Sequence, residues 1–596
     1  MHVVATAGHV DHGKSTLVRA LTGTDPDRLE EERRRGLSIE LGYAWTELAG
    51  VGEVAFVDVP GHQRFLATTL AGVGPVPVAM LVVAADDPWM PQAAEHLAAL
   101  DALGVRHGLV AVTRSDLADP APALARARAE VDRTGLAGAP AVAVSGRTGA
   151  GLDELRRALV DVLAGVPAPD AASDVRLWVD RRFHIRGAGT VVTGTLPAGT
   201  IAVGDTLALQ DGTRVRVRGL EALGVARSRI SGVARVALDL GGHAPEAIAR
   251  GTALLTPDAF LAAEAVDVRL DGEGRVPERP VLHLGSALVG VHARPLGKDY
   301  YRLTLDEPLP LRIGDRAILR DPGSRTLWGA VVLDPQPPPL GRRGAAAARA
   351  AALTDLESGA VDELRVRGVV RRDLLRLIGA PVGDGPVGGL AAGGGDAAGV
   401  GHAKAQAGGL AAGEWLVSAE RAAELRAALT VLAQAAGVHG ITPAAAAHAL
   451  DLPDPAIVTA LVAEPLRASD GRIRVGGPAL PEPLAAALAG LRAHLAEQPF
   501  AAPTAEELDR LGLDAASIAV LHRDGHVLRI APGIVLLPDA AAVAVERLAA
   551  LAQPFTMSAA RQTLGTSRRV ALPLLAHLDA TGATVRQADD TRRLAR

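Results

Sequence analysis

HVVATAGHVDHGKSTLVRALTG, His2 to Gly23, opens with six residues of buried-strand character, passes through a glycine-flanked loop and enters a helical pattern. Within it GHVDHGKS, Gly8 to Ser15, fits GxxxxGK[ST] in the strand–loop–helix setting that makes the motif a phosphate loop. Glycine there lets backbone N–H groups and a helix N-terminus converge on phosphate oxygens, where a side chain would block the approach. The candidate nucleotide contacts are therefore Gly8, His9, Val10, Asp11, His12, Gly13, Lys14, Ser15 and Thr16. Lys14 brings charge to the β- and γ-phosphates, and the Ser15 hydroxyl is a ligand for Mg2+.

Downstream, EVAFVDV, VAMLVVAA, GLVAVT and AVAVS each precede a loop and a longer amphipathic stretch. That alternation predicts a mainly parallel sheet flanked by helices. Its loops carry the remaining candidates. Asp58 and Gly61 of DVPG sit where such a sheet binds ligands, Asp58 toward Mg2+ and the Gly61 N–H toward the γ-phosphate. His62 follows directly, placed to orient an attacking water as the catalytic residue. In RGLSI, Ser38 offers a hydroxyl to Mg2+ in the triphosphate state and releases it after hydrolysis. Thr113, Arg114 and Asp116 of TRSD, with Ser145, Gly146 and Arg147, form the base site. Asp116 accepts both N1–H and N2–H2 of guanine, a pair adenine lacks, so GTP and GDP are the expected nucleotides.

A chain of 596 residues exceeds any single hydrophobic core. Cysteine is absent altogether, which excludes disulfides, thiolate metal sites and thiol nucleophiles. The start has no secretory pattern, and no run of about 18 uncharged apolar residues follows, so a cytoplasmic protein without membrane contact is expected. The net charge of −5 confines RNA contact to local basic patches.

From Asp174 to Leu333 many short strands alternate with Gly and Pro, and DPQPPPLGRR, Asp334 to Arg343, reads as a stiff linker. Beyond it, ITPAAAAHALDLPDPAIVTALVAEPLRASDGRIRVGG and two later stretches repeat a helix–turn–helix–basic-strand pattern, a winged-helix signature. Counting Ala345–Val417, four modules are expected. The expected architecture is an α/β P-loop GTPase domain at 1–168, two antiparallel β-barrels at 174–256 and 262–336, and tandem winged-helix (α+β) modules at 343–478 and 480–596. A Gly/Ala-rich insertion at about 379–413 interrupts the third part and is expected to be a mobile loop without chemistry. From Arg561 to Arg596, seven arginines against three aspartates leave a local charge of +4. Arg561, Arg568, Arg569 and Arg586 are the candidate RNA contacts, with Thr566 or Ser567 capping the second helix of that module.

GHVDHGKST, RGLSI, DVPGH, TRSD and SGRTGAG, in this order and followed by two barrels, resemble the translational GTPases. VDRRFHIRGAGTVVTGTLPAGTIAVGDTL and the C-terminal FTMSAARQTLGTSRRVALPLLAHLDATGATVR resemble the selenocysteine-specific branch of that family. The resemblance implies that His62 activates the hydrolytic water when the ribosome docks, behind an apolar gate at Val10 and Leu37. It also implies an aminoacyl pocket at Asp180, Arg181 and Arg235, and as partners selenocysteyl-tRNA, an mRNA hairpin bound by the last winged helix, and the ribosome. Two positions depart from the family pattern: Thr113-Arg114 stands where Asn-Lys is usual, which removes an amide that braces the loop, and Ser38 stands where Thr is usual. A monomer is the default. The alternatives are a general aminoacyl-tRNA carrier or initiation-type GTPase, and a winged-helix nucleic-acid-binding regulator with a GTPase switch.

Overall fold

The computed structural model describes residues 1–27, 38–62, 65–87, 89–185, 189–241, 248–380, 409–469, 471–475 and 480–595. Arg35, Gly36 and Leu37 of RGLSI and nearly all of the Gly-rich insertion fall outside them. Two compact units emerge: residues 1–409 with 414–418, and residues 410–413 with 419–596.

The first unit begins with β1 (His2–Ala7), α1 (Lys14–Thr22), β2 (Gly42–Leu48), β3 (Gly52–Asp58), α2 (Leu66–Val73), β4 (Val78–Ala84), α3 (Pro91–Ala102), β5 (His107–Thr113), α4 (Ala121–Val131), β6 (Ala141–Ala143) and α5 (Leu152–Ala164). The strand order is β2-β3-β1-β4-β5-β6, parallel except for the edge pair β2–β3. Period-two alternation divides its apolar residues between two cores. Val3, Ala5, Val57, Leu81 and Val83 face one way, and Val4, Phe56, Met80 and Val82 the other. Both faces are covered, which is why VAMLVVA of β4 is buried at every residue. Parallel strands align their C-terminal ends, so the loops after β1, β3, β5 and β6 share one edge of the sheet.

Two barrels were expected next, and among the described residues one is closed. Six strands between Ala262 and Asp334 close on themselves. The preceding strands form an open antiparallel sheet that runs from Arg176–Trp178 at one end to Arg181–Ile185 at the other. Its two end strands are joined without a ladder: Val179 N–H donates to Thr252 O at 2.8 Å and Asp180 N–H to Thr193 O at 2.9 Å. Leu177 and Trp178 lie directly over Gly194, where a Cβ would come within 2.5 Å of Trp178 O. Close stacking there takes the place of edge pairing.

The proline-rich segment is no spacer. Arg302 Nη1 donates to Pro338 O at 2.6 Å, and the helix Ala345–Glu357 packs Leu353 on Leu296, Val331 and Leu333 of the closed barrel. Beneath it lies a buried charge network. Arg302 and Arg349 both bind Asp267, Arg349 and Arg367 both bind Asp334, and Arg367 also binds Glu363 at 2.9 Å. Asp267 and Asp334 are 0% and 1% exposed.

In the second unit a helix–helix–hairpin order occurs three times. Its members are Pro443–Ala449, Pro455–Leu461 and the hairpin Leu466–Val475; Ala505–Arg510, Ala515–Arg523 and the hairpin Leu528–Leu536; and Met557–Thr563, Arg568–Ala580 and the hairpin Thr584–Leu594. The sequence repeats its caps with the same period. Thr442, Thr504 and Thr556 each accept an N–H at the start of the first helix, Thr504 within a capping box closed by Glu507. Residues 345–417 follow, among the described residues, the order helix–helix–strand–helix–strand–strand, with Val369–Arg371 paired to Trp415–Val417. Leu410–Ala412 is a strand, although it falls within the stretch expected to be a loop.

Candidate functional site

The aligned strand ends surround a cleft of about 650 Å3 lined by Val10, Asp11, Gly13–Leu17, Asp25, Asp27, Ser38, Gly61, Thr113, Arg114, Asp116, Leu117 and Ser145–Arg147. The predicted nucleotide residues thus converge, apart from Gly8, His9, His12 and Asp58, which support the cleft from behind its lining. Gly8 has φ +130°, and a Cβ there would strike Val82 O at 2.1 Å. Its N–H donates at 3.0 Å to Nδ1 of His96, a buried imidazole whose pKa burial lowers to about 3, keeping it a neutral acceptor. His12 is buried too, with Nε2 3.2 Å from Asp87 and Nδ1 3.4 Å from Val82 O. The helix α1 starts at Lys14 without a side-chain cap, leaving its first-turn N–H groups to an anion.

Lys14 Nζ donates to Gly8 O at 3.2 Å and His9 O at 2.8 Å. Burial lowers its pKa to about 8, against the attraction of Asp58. A polyphosphate favours the charged form, so binding takes up a proton wherever free Lys14 has lost one. Apparent GTP affinity should therefore be flat well below pH 8 and approach about a tenfold fall per pH unit well above it, whereas Lys14→Arg should abolish that limb because guanidinium stays charged. Fluorescent-nucleotide titration from pH 7 to about pH 9 measures both.

Oxygen donors cluster beside the lysine. Ser15 Oγ donates to Asp58 Oδ2 at 2.6 Å and lies 3.1 Å from Ser38 Oγ, which donates to Asp27 at 2.8 Å. Thr6 Oγ1 holds the other Asp58 oxygen at 2.7 Å. Burial pushes the Asp58 carboxyl up while Lys14 and the two hydroxyls pull it down. Gly61 is pressed against the phosphate loop, where a Cβ would lie 2.4 Å from Val10 N and 2.5 Å from Lys14 Nζ. His62 follows but is not among the residues that line the cleft; its ring centre lies 6.0 Å from that of Phe65.

The two departures in TRSD are compensated. Thr113 Oγ1 donates to His12 O at 2.6 Å, so a hydroxyl supplies the brace that the missing amide would have given. Arg114, at φ 57°, reaches Asp11 O with one arm and Asp86 with the other at 3.2 Å. The Ser145 hydroxyl holds Asp116 below the usual carboxylate range, ready as a charged double acceptor. Sequence reasoning missed Asp25, Asp27, Asp86, His96 and Leu117. No motif covers Asp27, and nothing in an amphipathic helix distinguishes His96.

In the second domain, Asp180, Arg181 and Arg235 do come together, around a residue of the first. Arg235 grips Asp180 with both arms, Nη2 to Oδ1 at 2.7 Å, and Thr193 Oγ1 donates to the same oxygen at 2.8 Å. The Arg235 and Arg181 guanidinium carbons stand 4.0 and 5.1 Å from the centre of the Tyr43 ring on β2. Arg181 also bonds Leu41 O and lies 3.3 Å from Glu40. The sequence reading aimed both guanidiniums at a ligand; here they clasp an aromatic ring. The C-terminal arginines also part company. Arg592 is buried on Asp579 at 2.9 Å, and Arg586 pairs with Asp590. Arg561 is half-buried, and Arg568 and Arg569 are both exposed, the Arg569 guanidinium folded back onto Ala502 O. The expected caps do not form: Ser567 makes no side-chain bond, and Thr566 donates to Phe500 O at 2.6 Å.

Residues 1–164 match the family model for the elongation factor Tu GTP binding domain, 277–339 the selenocysteine-specific elongation factor beta-barrel domain, and 546–594 the winged helix of elongation factor SelB. The chain is 40% identical over 354 residues to the selenocysteine-specific elongation factor of Escherichia coli (strain K12), covering 57% of this chain and 56% of that protein. The chain thus spans about half the length of such relatives. It is 32% identical over 318 residues to translation initiation factor 2 subunit gamma of Methanothermobacter thermautotrophicus, covering 47% of this chain and 77% of that one. A crystal structure of bacterial selenocysteine-specific elongation factor EF-Sec has the same fold, with a TM-score of 0.67 at 24% identity over 100% of both chains. Among the described residues no helix is long and apolar enough to cross a membrane. With a nucleotide cleft built at the ends of four strands, and a barrel and a terminal winged helix that each match a model from the selenocysteine-specific elongation factors, the chain belongs to the translational GTPase family.

Proposed function

We propose that this chain, in its GTP state, binds selenocysteyl-tRNA and delivers it to the ribosome at recoded UGA codons, with the last winged helix holding an mRNA hairpin. The observation that carries the reading is Tyr43. Its strand starts four residues after Ser38, which lines the nucleotide cleft, and its ring is clasped by Arg235 and Arg181 of the next domain. A change at the γ-phosphate end of the cleft is thereby mechanically linked to the candidate aminoacyl pocket.

Asp116 selects guanine, Lys14 and the α1 N-terminus hold the phosphates, and His62 orients the attacking water when the ribosome docks. The hydroxyls of Ser15 and Ser38 and the Asp58 carboxylate form the all-oxygen donor set that suits Mg2+, with Asp27 bonded beside them. That ion, when bound, neutralises charge between the β- and γ-phosphates. For the cargo, movement of Tyr43 releases guanidinium faces. A selenol is ionised at neutral pH and a serine hydroxyl is not, so the freed charge favours selenocysteyl over seryl esters.

Filter retention of labelled selenocysteyl-tRNA tests this, compared with the seryl form of the same tRNA on GTP- and GDP-loaded protein. The expected result is retention by the GTP form alone, with about a tenfold or greater preference for selenocysteine, the value of one charge-assisted contact. Equal retention of both esters would defeat the pocket. The initiation-factor match makes initiation-type delivery the second reading, which preferential retention of initiator tRNA would favour.

A further inference from the structure

We propose that Arg569 is a positioning residue of the terminal winged helix: it anchors the start of the helix Arg568–Ala580 to the preceding module, so that Arg568 faces RNA and Arg569 does not touch it. The inference rests on the reading of this module as RNA-binding.

The Arg569 guanidinium is committed to backbone. Nη2 donates to Ala502 O at 2.7 Å and Pro503 O at 3.2 Å, and Nη1 to Gly533 O at 3.5 Å. Those carbonyls come from two places in the second repeat, the loop before Ala505–Arg510 and the turn of the hairpin Leu528–Leu536. Thr566, three residues earlier, adds its bond to Phe500 O in the same loop. The helix has no side-chain cap, so these four carbonyls fix its N-terminal end. Beneath them one apolar core runs unbroken through both repeats, from Leu488 and Phe500 to Leu574 and Leu578. An Nη2 that already donates to two carbonyls has no hydrogen left for a phosphate, and a lysine cannot reproduce the planar fork. Arg568, its neighbour, is exposed and makes no ion pair among the described residues.

The test uses the full chain and a fluorescein-labelled RNA stem–loop with one bulged base, titrated by anisotropy between about 50 and 200 mM salt. Arg568→Ala should weaken binding and reduce the log–log salt slope by about 0.9, the signature of one lost phosphate contact. Arg569→Ala should weaken binding about tenfold with the wild-type slope, and Arg569→Lys should behave like Arg569→Ala. Hydrogen exchange at residues 568–571 should speed up in both Arg569 variants and stay unchanged in Arg568→Ala. A slope loss in Arg569→Ala, rescue by Arg569→Lys, or unchanged affinity in folded Arg569→Ala overturns the assignment. Should Arg568→Ala also bind as wild type does, the RNA reading of the module fails; the exchange data then decide the anchoring, which unchanged protection in Arg569→Ala refutes.

Discussion

Asp116→Asn should lower GTP affinity by about a thousandfold and raise affinity for xanthosine triphosphate. Two hydrogen bonds to a carboxylate, at about 2 kcal/mol each, amount to about 4 kcal/mol. The Ser145 hydroxyl favours the charged form of that carboxylate, which lines the cleft. An Asn amide offers one acceptor and two donors, which suits the 2-oxo group of xanthine and repels the 2-amino group of guanine. Competition of labelled GTP by each nucleotide measures the change. An unaltered guanine preference would mean that Asp116 does not contact the base.

Asp334→Asn should destabilise the first unit by about 3–5 kcal/mol, read as a lower urea midpoint with an unchanged slope. Asp334 is 1% exposed and joins Arg349 to Arg367, so the amide leaves two guanidiniums short of an anion where water cannot replace it. The exposed pair Arg214–Asp258 is the matching control, with side chains 59% and 84% exposed. Asp258→Asn should cost about 0–1 kcal/mol.

The nucleotide site was legible because its motif is local. A strand run, a glycine loop and a helix start occupy consecutive residues, and parallel pairing then brings the Asp58, Asp116 and Ser145 loops to the same edge. Properties set by residues far apart in the chain were not legible. That Thr113 would brace His12, 101 residues away, depends on tertiary approach. The open sheet turns on Gly194 lying under Trp178. DPQPPPLGRR has the composition of a spacer, yet Asp334 at its head is a buried junction of ion pairs. Arg568 and Arg569 look alike in sequence and both are exposed; one helical step, about 100° of rotation, lays only the second along neighbouring carbonyls.

Position 61 has room for main chain alone. A Cβ there would lie 2.4 Å from Val10 N and 2.5 Å from the lysine ammonium, so any substitution would wedge the loop after β3 away from the phosphate loop. Glycine is thus what lets two stretches of backbone, about fifty residues apart in the chain, share one wall of the cleft.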